Sequence, residues 1–392
     1  MLKWILSSIV LGLFIASSCK DQDDASSGED SVSFDRATML SNLVTNIVVP
    51  KVSNFETNAS ALETAVTEYC ATTSDATLLA AAQTKYKEAL TTWQYLEVMQ
   101  FGPLAKDSYT QRNKIYSWPL VNSCGVDREV TLASESGYTL TNTNNRIGLD
   151  AAEYLLFDTD QNHACTAEVT ETATWNDLSE SDRKIKRCTY LKLLTKDLVA
   201  QATNLKSSWS DTYQASFING EGDNGLRGSV NAITDAMFYL DIEIKDMKIA
   251  IPAGISDKCS DTSCPESTEH PLSSMSLIAL QQNMSAIQDL FLGGDKEGFD
   301  DYIKDLGRED IVTDMTAAIS SFKDNLDKQQ SSLESLATDI VQNNCTLTTT
   351  TDRRVEICAL YKDAKAITDI LKTEFLTVLD LEAPKRAEAD ND

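Results

Sequence analysis

The sequence predicts an all-α fold made of two tandem domains, each resembling a four-helix bundle. Apolar residues recur with a period of about 3.6 over long stretches, and no long alternating strand pattern competes with them. The chain has 392 residues with only 7 prolines and 15 glycines, which is typical of a folded protein rich in helix. This length is sufficient for two domains with separate apolar cores.

The N-terminus resembles the signal peptide of a bacterial lipoprotein. Lys3 precedes an apolar stretch at residues 4–16 that is too short to span a bilayer, and small residues lead to Cys19. We therefore expect a signal peptide over residues 1–18 and a lipid on Cys19. The lipid would hold the protein at the outer membrane, on its periplasmic or cell-surface face. An ordinary secretory peptide and a membrane anchor helix are the alternatives.

The segment after the signal peptide is acidic, and the chain as a whole carries a large negative charge. Residues 19–33 offer no apolar anchor and are expected to form a flexible acidic tether. The whole chain contains 34 basic and 60 acidic residues, a net charge of -26. Because nucleic-acid binding requires clustered Lys and Arg, this charge excludes DNA and RNA as partners.

The cysteines are expected to form disulfides, because an exported protein folds in an oxidising compartment. Of the 9 cysteines, Cys19 is assigned to the lipid, and no CxxC pair or Cys/His cluster has the spacing of a zinc site. Sequence order suggests one scheme among many possible ones. It pairs Cys70 with Cys124, Cys165 with Cys188, Cys259 with Cys264, and Cys345 with Cys358.

The periodic segments give the order of the helices. Helices are expected at about 35–69, 76–101, 146–157, 181–210, 228–250 and 274–305, followed by apolar stripes over 311–340 and 357–378. The glycine-containing polar gap at residues 211–228 is the best boundary. It divides the chain into an N-terminal bundle over 34–215 and a C-terminal bundle over 216–385.

Both histidines fall in segments that are expected to be loops. His163 lies in the polar segment 160–176, and His270 lies in the cysteine-bounded segment 256–271. In exposed loops, neither is expected to be catalytic, so the usual general base and the usual zinc ligand are nearly absent.

The most informative stretch is residues 146–157, RIGLDAAEYLLF. It places two carboxylates, Asp150 and Glu153, three positions apart at the start of a helix, where both share one face. Gly148 permits a tight turn just before them. This pattern predicts a binding site on a buried helix, and the alternative is a capping box in which the two acids only satisfy amides of the first turn.

Other segments, read with this one, carry a family resemblance. They are WQYLEVMQFGP at 93–103, IYSWP at 115–119, Arg187 and Cys188 with Trp209, KIAIPAG at 248–254 and ESTEHPLSSMSL at 266–277. In this order the segments resemble the imelysin family of bacterial exported and lipid-anchored proteins, over essentially the whole mature chain. The resemblance implies two helical bundles with the motif helix near their junction, and a link to iron or haem acquisition through an uptake partner protein.

The family motif is G-x-H-x-x-E, and this chain has Gly148, Asp150 and Glu153, so Asp stands where the family has His. The departure argues against a metallopeptidase, because an imidazole suits zinc or ferrous iron whereas two carboxylates form a hard, acceptor-only site. A cofactor is not identified. If a metal binds, calcium, magnesium, manganese or ferric iron is favoured over zinc.

A third carboxylate, Glu97, is the candidate to complete a metal site with Asp150 and Glu153, because a helical bundle can point it inward. The alternative is an ion pair with Arg112 or Arg146, which would make the site structural or anion-binding. Three functions therefore compete: a non-catalytic binding component for iron, a metal complex or a protein partner, which is favoured; a metallopeptidase; and a scaffold whose acids only cap a helix.

Overall fold

The computed structural model describes residues 34–141, 143–222, 225–339 and 356–381. Every regular element within these ranges is a helix and none is a strand, so the all-α fold is confirmed. The predicted signal peptide, Cys19 and the tether lie outside the described residues. No helix in the described ranges has the length and apolar character needed to cross a membrane.

The first part of the chain folds into α1 (Arg36–Ser41), α2 (Val49–Ala71), α3 (Ala76–Glu97), α4 (Lys106–Ile115), α5 (Ser123–Leu132), α6 (Gly148–Phe157), α7 (Glu180–Ser208) and α8 (Asp211–Ile218). A π-helical segment, Asn42–Val48, joins α1 to α2. Asp75 and Ser179 cap the starts of α3 and α7 by accepting hydrogen bonds from free amides. Helix α2 packs against both α3 and α7, and its buried stripe includes Phe55, Leu62 and Val66.

The second part contains α9 (Gly225–Met237), a π-helical segment Leu240–Ala250, α10 (Ser276–Leu292), α11 (Phe299–Asp305), α12 (Glu309–Asp327), α13 (Leu333–Thr338), α14 (Glu356–Ile370), a second π-helical segment Leu371–Phe375, and α15 (Leu376–Val378). Helix α12 buries Met315, Ile319 and Phe322 and packs against α14. The expected stripe on α12 is therefore present.

The segment 274–305 was expected to be one helix, and it is two. Gly293 ends α10 in the left-handed conformation at φ 67°, and its amide bonds the carbonyl of Asp289. A Cβ at this position would lie 2.4 Å from the carbonyl oxygen of Glu297. Only glycine fits this close backbone approach, so the chain turns here before α11 begins.

Helix α10 also packs against α3, so apolar residues from both parts of the chain contribute to one core. The described residues from Phe34 onward form one compact unit. The division into bundles over 34–215 and 216–385 stays a prediction.

Two of the predicted disulfides are wrong. Cys70 pairs with Cys188 and Cys124 pairs with Cys165, with Cα–Cα distances of 5.4 Å and 4.5 Å. The reason is helix packing: Cys70 lies in the last turn of α2, which runs beside α7 and therefore beside Cys188. Sequence order carries no information about which helices are neighbours.

The short bridge between Cys259 and Cys264 is confirmed. Cys345 lies outside the described residues, so its pairing with Cys358 stays a prediction.

Candidate functional site

The motif helix α6 begins where the backbone makes a close approach to the end of α4. Gly148 has φ 81°, and a Cβ there would lie 2.6 Å from the carbonyl oxygen of Ile115. This contact requires glycine. It brings the first turn of α6 against the segment 115–119, which the sequence singles out as IYSWP.

Asp150 is buried in this contact, with 4% of its surface exposed. Its Oδ2 accepts a hydrogen bond from the backbone amide of Ser117 at 2.9 Å. Burial raises the pKa of Asp150 to about 7, although His270 and the amide of Ser117 act in the opposite direction. The folded protein therefore favours the protonated form of Asp150 up to a higher pH than an exposed aspartate would.

Glu153 is fully engaged by the loop that precedes α10. Its Oε1 accepts from the amide and hydroxyl of Ser273 at 2.8 Å and 2.7 Å, and its Oε2 lies 2.8 Å from Nδ1 of His270. Burial alone would raise the pKa of Glu153, but His270 and Ser273 hold it below its usual value. These bonds argue against the capping box, since within the described ranges Asp150 accepts from Ser117, and Glu153 bonds Ser273 and His270, in place of amides of their own helix.

His270 is the largest correction to the sequence analysis, which placed it in an exposed loop. It is 1% exposed, and its backbone has φ 54°, a left-handed conformation that is unusual for histidine. Its Nε2 lies 2.9 Å from the hydroxyl of Tyr116. Burial lowers its pKa, but Glu153, and then Glu269 and Asp150, raise it to about 9 overall. His270 is therefore an imidazolium at neutral pH.

The other histidine, His163, does lie in a loop, where its Nδ1 accepts from the amide of Cys165 at 3.1 Å.

Behind the site lies a buried group of ion pairs built on Lys248. Its Nζ lies 3.0 Å from Oε2 of Glu97 and 2.9 Å from Oε1 of Glu269. Arg112 binds the other oxygen of Glu97 through Nη2 at 3.0 Å. Burial would raise the pKa of Glu97, but Lys248 and Arg112 lower it overall. Glu97 therefore remains ionised.

Arg112 is thus the partner of Glu97, whereas the other arginine considered, Arg146, pairs with Glu129 at 2.7 Å. Arg146 does not line the pocket beside Asp150 that is described below.

The three-carboxylate metal set of Glu97, Asp150 and Glu153 is a further correction. No three His, Cys, Asp or Glu side chains in the described ranges are arranged to hold a metal ion. The physical reason is that protein donors already occupy both oxygens of Glu97 and both oxygens of Glu153. The side chains present do not fit a resident metal ion.

A pocket of about 520 Å³ opens beside Asp150, Glu153 and His270. This volume lies within the range of small-molecule sites, roughly 300 to 1,000 Å³. Its apolar wall includes Trp118, Met247, Ile251 and Leu272, and Lys258 and Glu266 are exposed charged residues of its lining. The residues that line it come from before and after the predicted boundary at 215 and 216.

The residues that the sequence analysis did not name as site residues lie in segments that it did single out. Tyr116 and Ser117 belong to IYSWP, Lys248 begins KIAIPAG, and Glu269, His270 and Ser273 belong to ESTEHPLSSMSL. The signal in the sequence is that these segments carry the family resemblance together with the motif helix. The polar residues around His270 indicated an exposed loop instead.

The comparisons with known proteins agree with this structure. The family model described as Imelysin matches residues 48–371. An iron-regulated protein A precursor from Parabacteroides distasonis ATCC 8503 is similar in structure, with 17% identity, a TM-score of 0.63, and coverage of 87% of this chain and 95% of that one. An imelysin-like protein from Psychrobacter arcticum 273-4 has 14% identity, a TM-score of 0.64, and coverage of 88% and 96%. No curated protein matches the chain.

Proposed function

This chain belongs to the imelysin family, and from that membership we propose that it is an exported, lipid-anchored binding protein that serves iron or other metal acquisition without catalysing a reaction. The observation that carries the proposal is the pocket beside Asp150, Glu153 and His270, where the polar groups are fixed in place before any ligand enters. Preorganised polar groups in a partly apolar cavity are typical of binding sites.

The state of the side chains favours binding over hydrolysis. A general base must be free to take a proton, but His270 already carries one, because its pKa is raised to about 9 by the carboxylates after burial lowers it. Glu153 has donors on both oxygens. A metallopeptidase would also need open metal ligands, and these two residues are already occupied by one another and by Ser273.

The link to iron rests on the family and on the structural neighbour from Parabacteroides distasonis, which is described as iron-regulated. Because the pocket does not offer a free set of donors for a bare ion, we expect the metal to arrive with its coordination completed by another molecule. The partner would then be an uptake protein that delivers or receives this complex.

The predicted lipoprotein signal peptide before Cys19 and the two long-range disulfides support export. The lipid on Cys19 would place the domain at the outer membrane. Incorporation of labelled palmitate that is lost in Cys19→Ala tests the anchor, and unchanged labelling in that variant would contradict it.

Binding is tested with the mature chain titrated by ferric citrate, haem and calcium chloride in a calorimeter. The matched variant is Ser123→Trp, which places a bulky side chain in the pocket lining. We expect at least one iron probe to bind the wild type and not this variant. Equal binding by both, or cleavage of casein that Glu153→Ala abolishes, would overturn the proposal.

A further inference from the structure

The charges around the pocket leave one carboxylate without a counterion. The buried cations are Arg112, Lys248 and His270, and their partners are Glu97, Glu269 and Glu153. The exposed part of the lining adds one cation, Lys258, and one carboxylate, Glu266. Both counts are balanced, and Asp150 is the fourth buried carboxylate. Asp150 forms no ion pair within the described ranges, and only its Oδ2 accepts a hydrogen bond there.

A buried carboxylate without a cation is costly, because desolvation removes water and no opposite charge replaces it. Asp150 is only 4% exposed, yet it lines the pocket. A ligand that enters the pocket can therefore supply the missing positive charge to the oxygen that Ser117 does not hold.

The rest of the lining restricts the kind of cation. Trp118, Val121, Met247, Ile251 and Leu272 give the pocket an apolar side, and Leu272 is 45% exposed. The apolar side chains of this surface cannot coordinate a metal ion, and Asp150 offers one free carboxylate oxygen, whereas a metal ion needs several ligands. The exposed charges Lys258 and Glu266 offset each other, so an anion would meet the unbalanced carboxylate of Asp150. An ammonium group on an apolar arm matches both the carboxylate and the wall.

We infer that the ligand reaches Asp150 with a protonated amine carried on an apolar chain. This inference rests on the proposed binding function and names the chemical class of its ligand. The amine can belong to a small molecule or to a lysine side chain of a partner protein, since both present the same group.

The test uses the mature chain and 4-phenylbutylammonium, with 4-phenylbutanol as the uncharged probe of the same shape. Calorimetry at pH 8 should give binding of the amine about tenfold tighter than binding of the alcohol, as expected for a hydrogen bond to a charged group. In Asp150→Asn the amine should bind no better than the alcohol. The control Glu135→Gln, an exposed carboxylate that does not line the pocket, should leave the preference for the amine in place.

A second pair of probes distinguishes the sources. Acetyl-Gly-Lys-Gly-amide is compared with the same peptide acetylated on the lysine amine. Binding of the first alone assigns the site to a lysine side chain, and binding of phenylbutylammonium alone assigns it to a small amine.

Equal affinity for the amine and the alcohol, or full affinity in Asp150→Asn, overturns the inference. If ferric citrate or haem binds the wild type and not Ser123→Trp while neither amine binds, the inference fails and the proposed function stands. Circular dichroism of each variant confirms that a loss of binding is not a loss of fold.

Discussion

Glu153 on α6 and His270, 117 residues further along the chain, form a buried ion pair with Oε2 2.8 Å from Nδ1. The pair joins the family motif to a loop of the second half. Each partner sets the ionisation of the other. Three predictions about stability follow from the charges of this pair and of Asp150, and a fourth follows from the turn at Gly148 that positions the helix.

Glu153→Gln should destabilise the protein by about 3 to 5 kcal/mol at pH 7, because it leaves the His270 cation buried without its partner. The oxygen of the introduced side-chain amide can still accept hydrogen bonds from Ser273, so a loss of stability is due to the removal of the negative charge. Urea denaturation measures the free energy of unfolding, and NMR titration of the imidazole should show a pKa lowered in the variant. The control Glu266→Gln, at an exposed position, should change stability by about 0.5 kcal/mol or less.

The stability of the wild type should fall as the pH rises through the pKa of His270. The folded-state pKa of His270 is about 9 and its ordinary value is 6.5, so the stabilisation is fully present below pH 6.5 and is lost as the pH approaches and passes 9. The loss should be about 3 kcal/mol. Urea denaturation from pH 6 to 10 should show this decline in the wild type relative to His270→Gln. If stability fell equally with pH in the wild type and in His270→Gln, the decline could not be assigned to His270.

Asp150→Asn should stabilise the protein at pH 8 and have little effect at pH 4. The pKa of Asp150 is raised to about 7 from 3.8, so the folded state prefers the protonated acid and stability is lost as the pH rises between these values. The gain should be up to about 4 kcal/mol at pH 8. Thermal unfolding at the two pH values measures it, and a variant less stable than the wild type at pH 8 would contradict the unpaired state of this carboxylate.

Gly148→Ala should destabilise the protein far more than Gly137→Ala, although both positions have positive φ, 81° and 86°. A Cβ at residue 137 meets open space, so its cost is the backbone conformation alone, about 1 to 2 kcal/mol. At residue 148 the Cβ would also lie 2.6 Å from the carbonyl of Ile115. Equal losses in urea denaturation would show that this close approach does not constrain α6.

The fold was predictable because helical periodicity is local. The stripe that includes Met315, Ile319 and Phe322 is buried as expected, and the turn at Gly148 followed from the sequence. The pairing of Asp150 and Glu153 on one helix also needed only their spacing, and both line the same pocket.

The partners of these acids were not predictable, because they depend on which segments meet in space. His270 lies in a polar segment between helix breakers, and nothing in its neighbours reveals that Glu153 and Tyr116 enclose it. Glu97 was expected to point toward Glu153, but its two carboxylate oxygens form ion pairs with Lys248 and Arg112. The predicted disulfide pairing was wrong for the same reason, since the contact between α2 and α7 determines the partner of Cys70.

The buried ion pairs that start at Arg112 and end at Glu153 draw on residues from both halves of the sequence. If one half unfolded, charged side chains of the other half would remain buried without their counterions. The free-energy cost of these unpaired charges would destabilise the half that remained folded. The protein is therefore expected to lose its structure in a single calorimetric step. A proteolytic cut that releases either half would leave both fragments prone to aggregation.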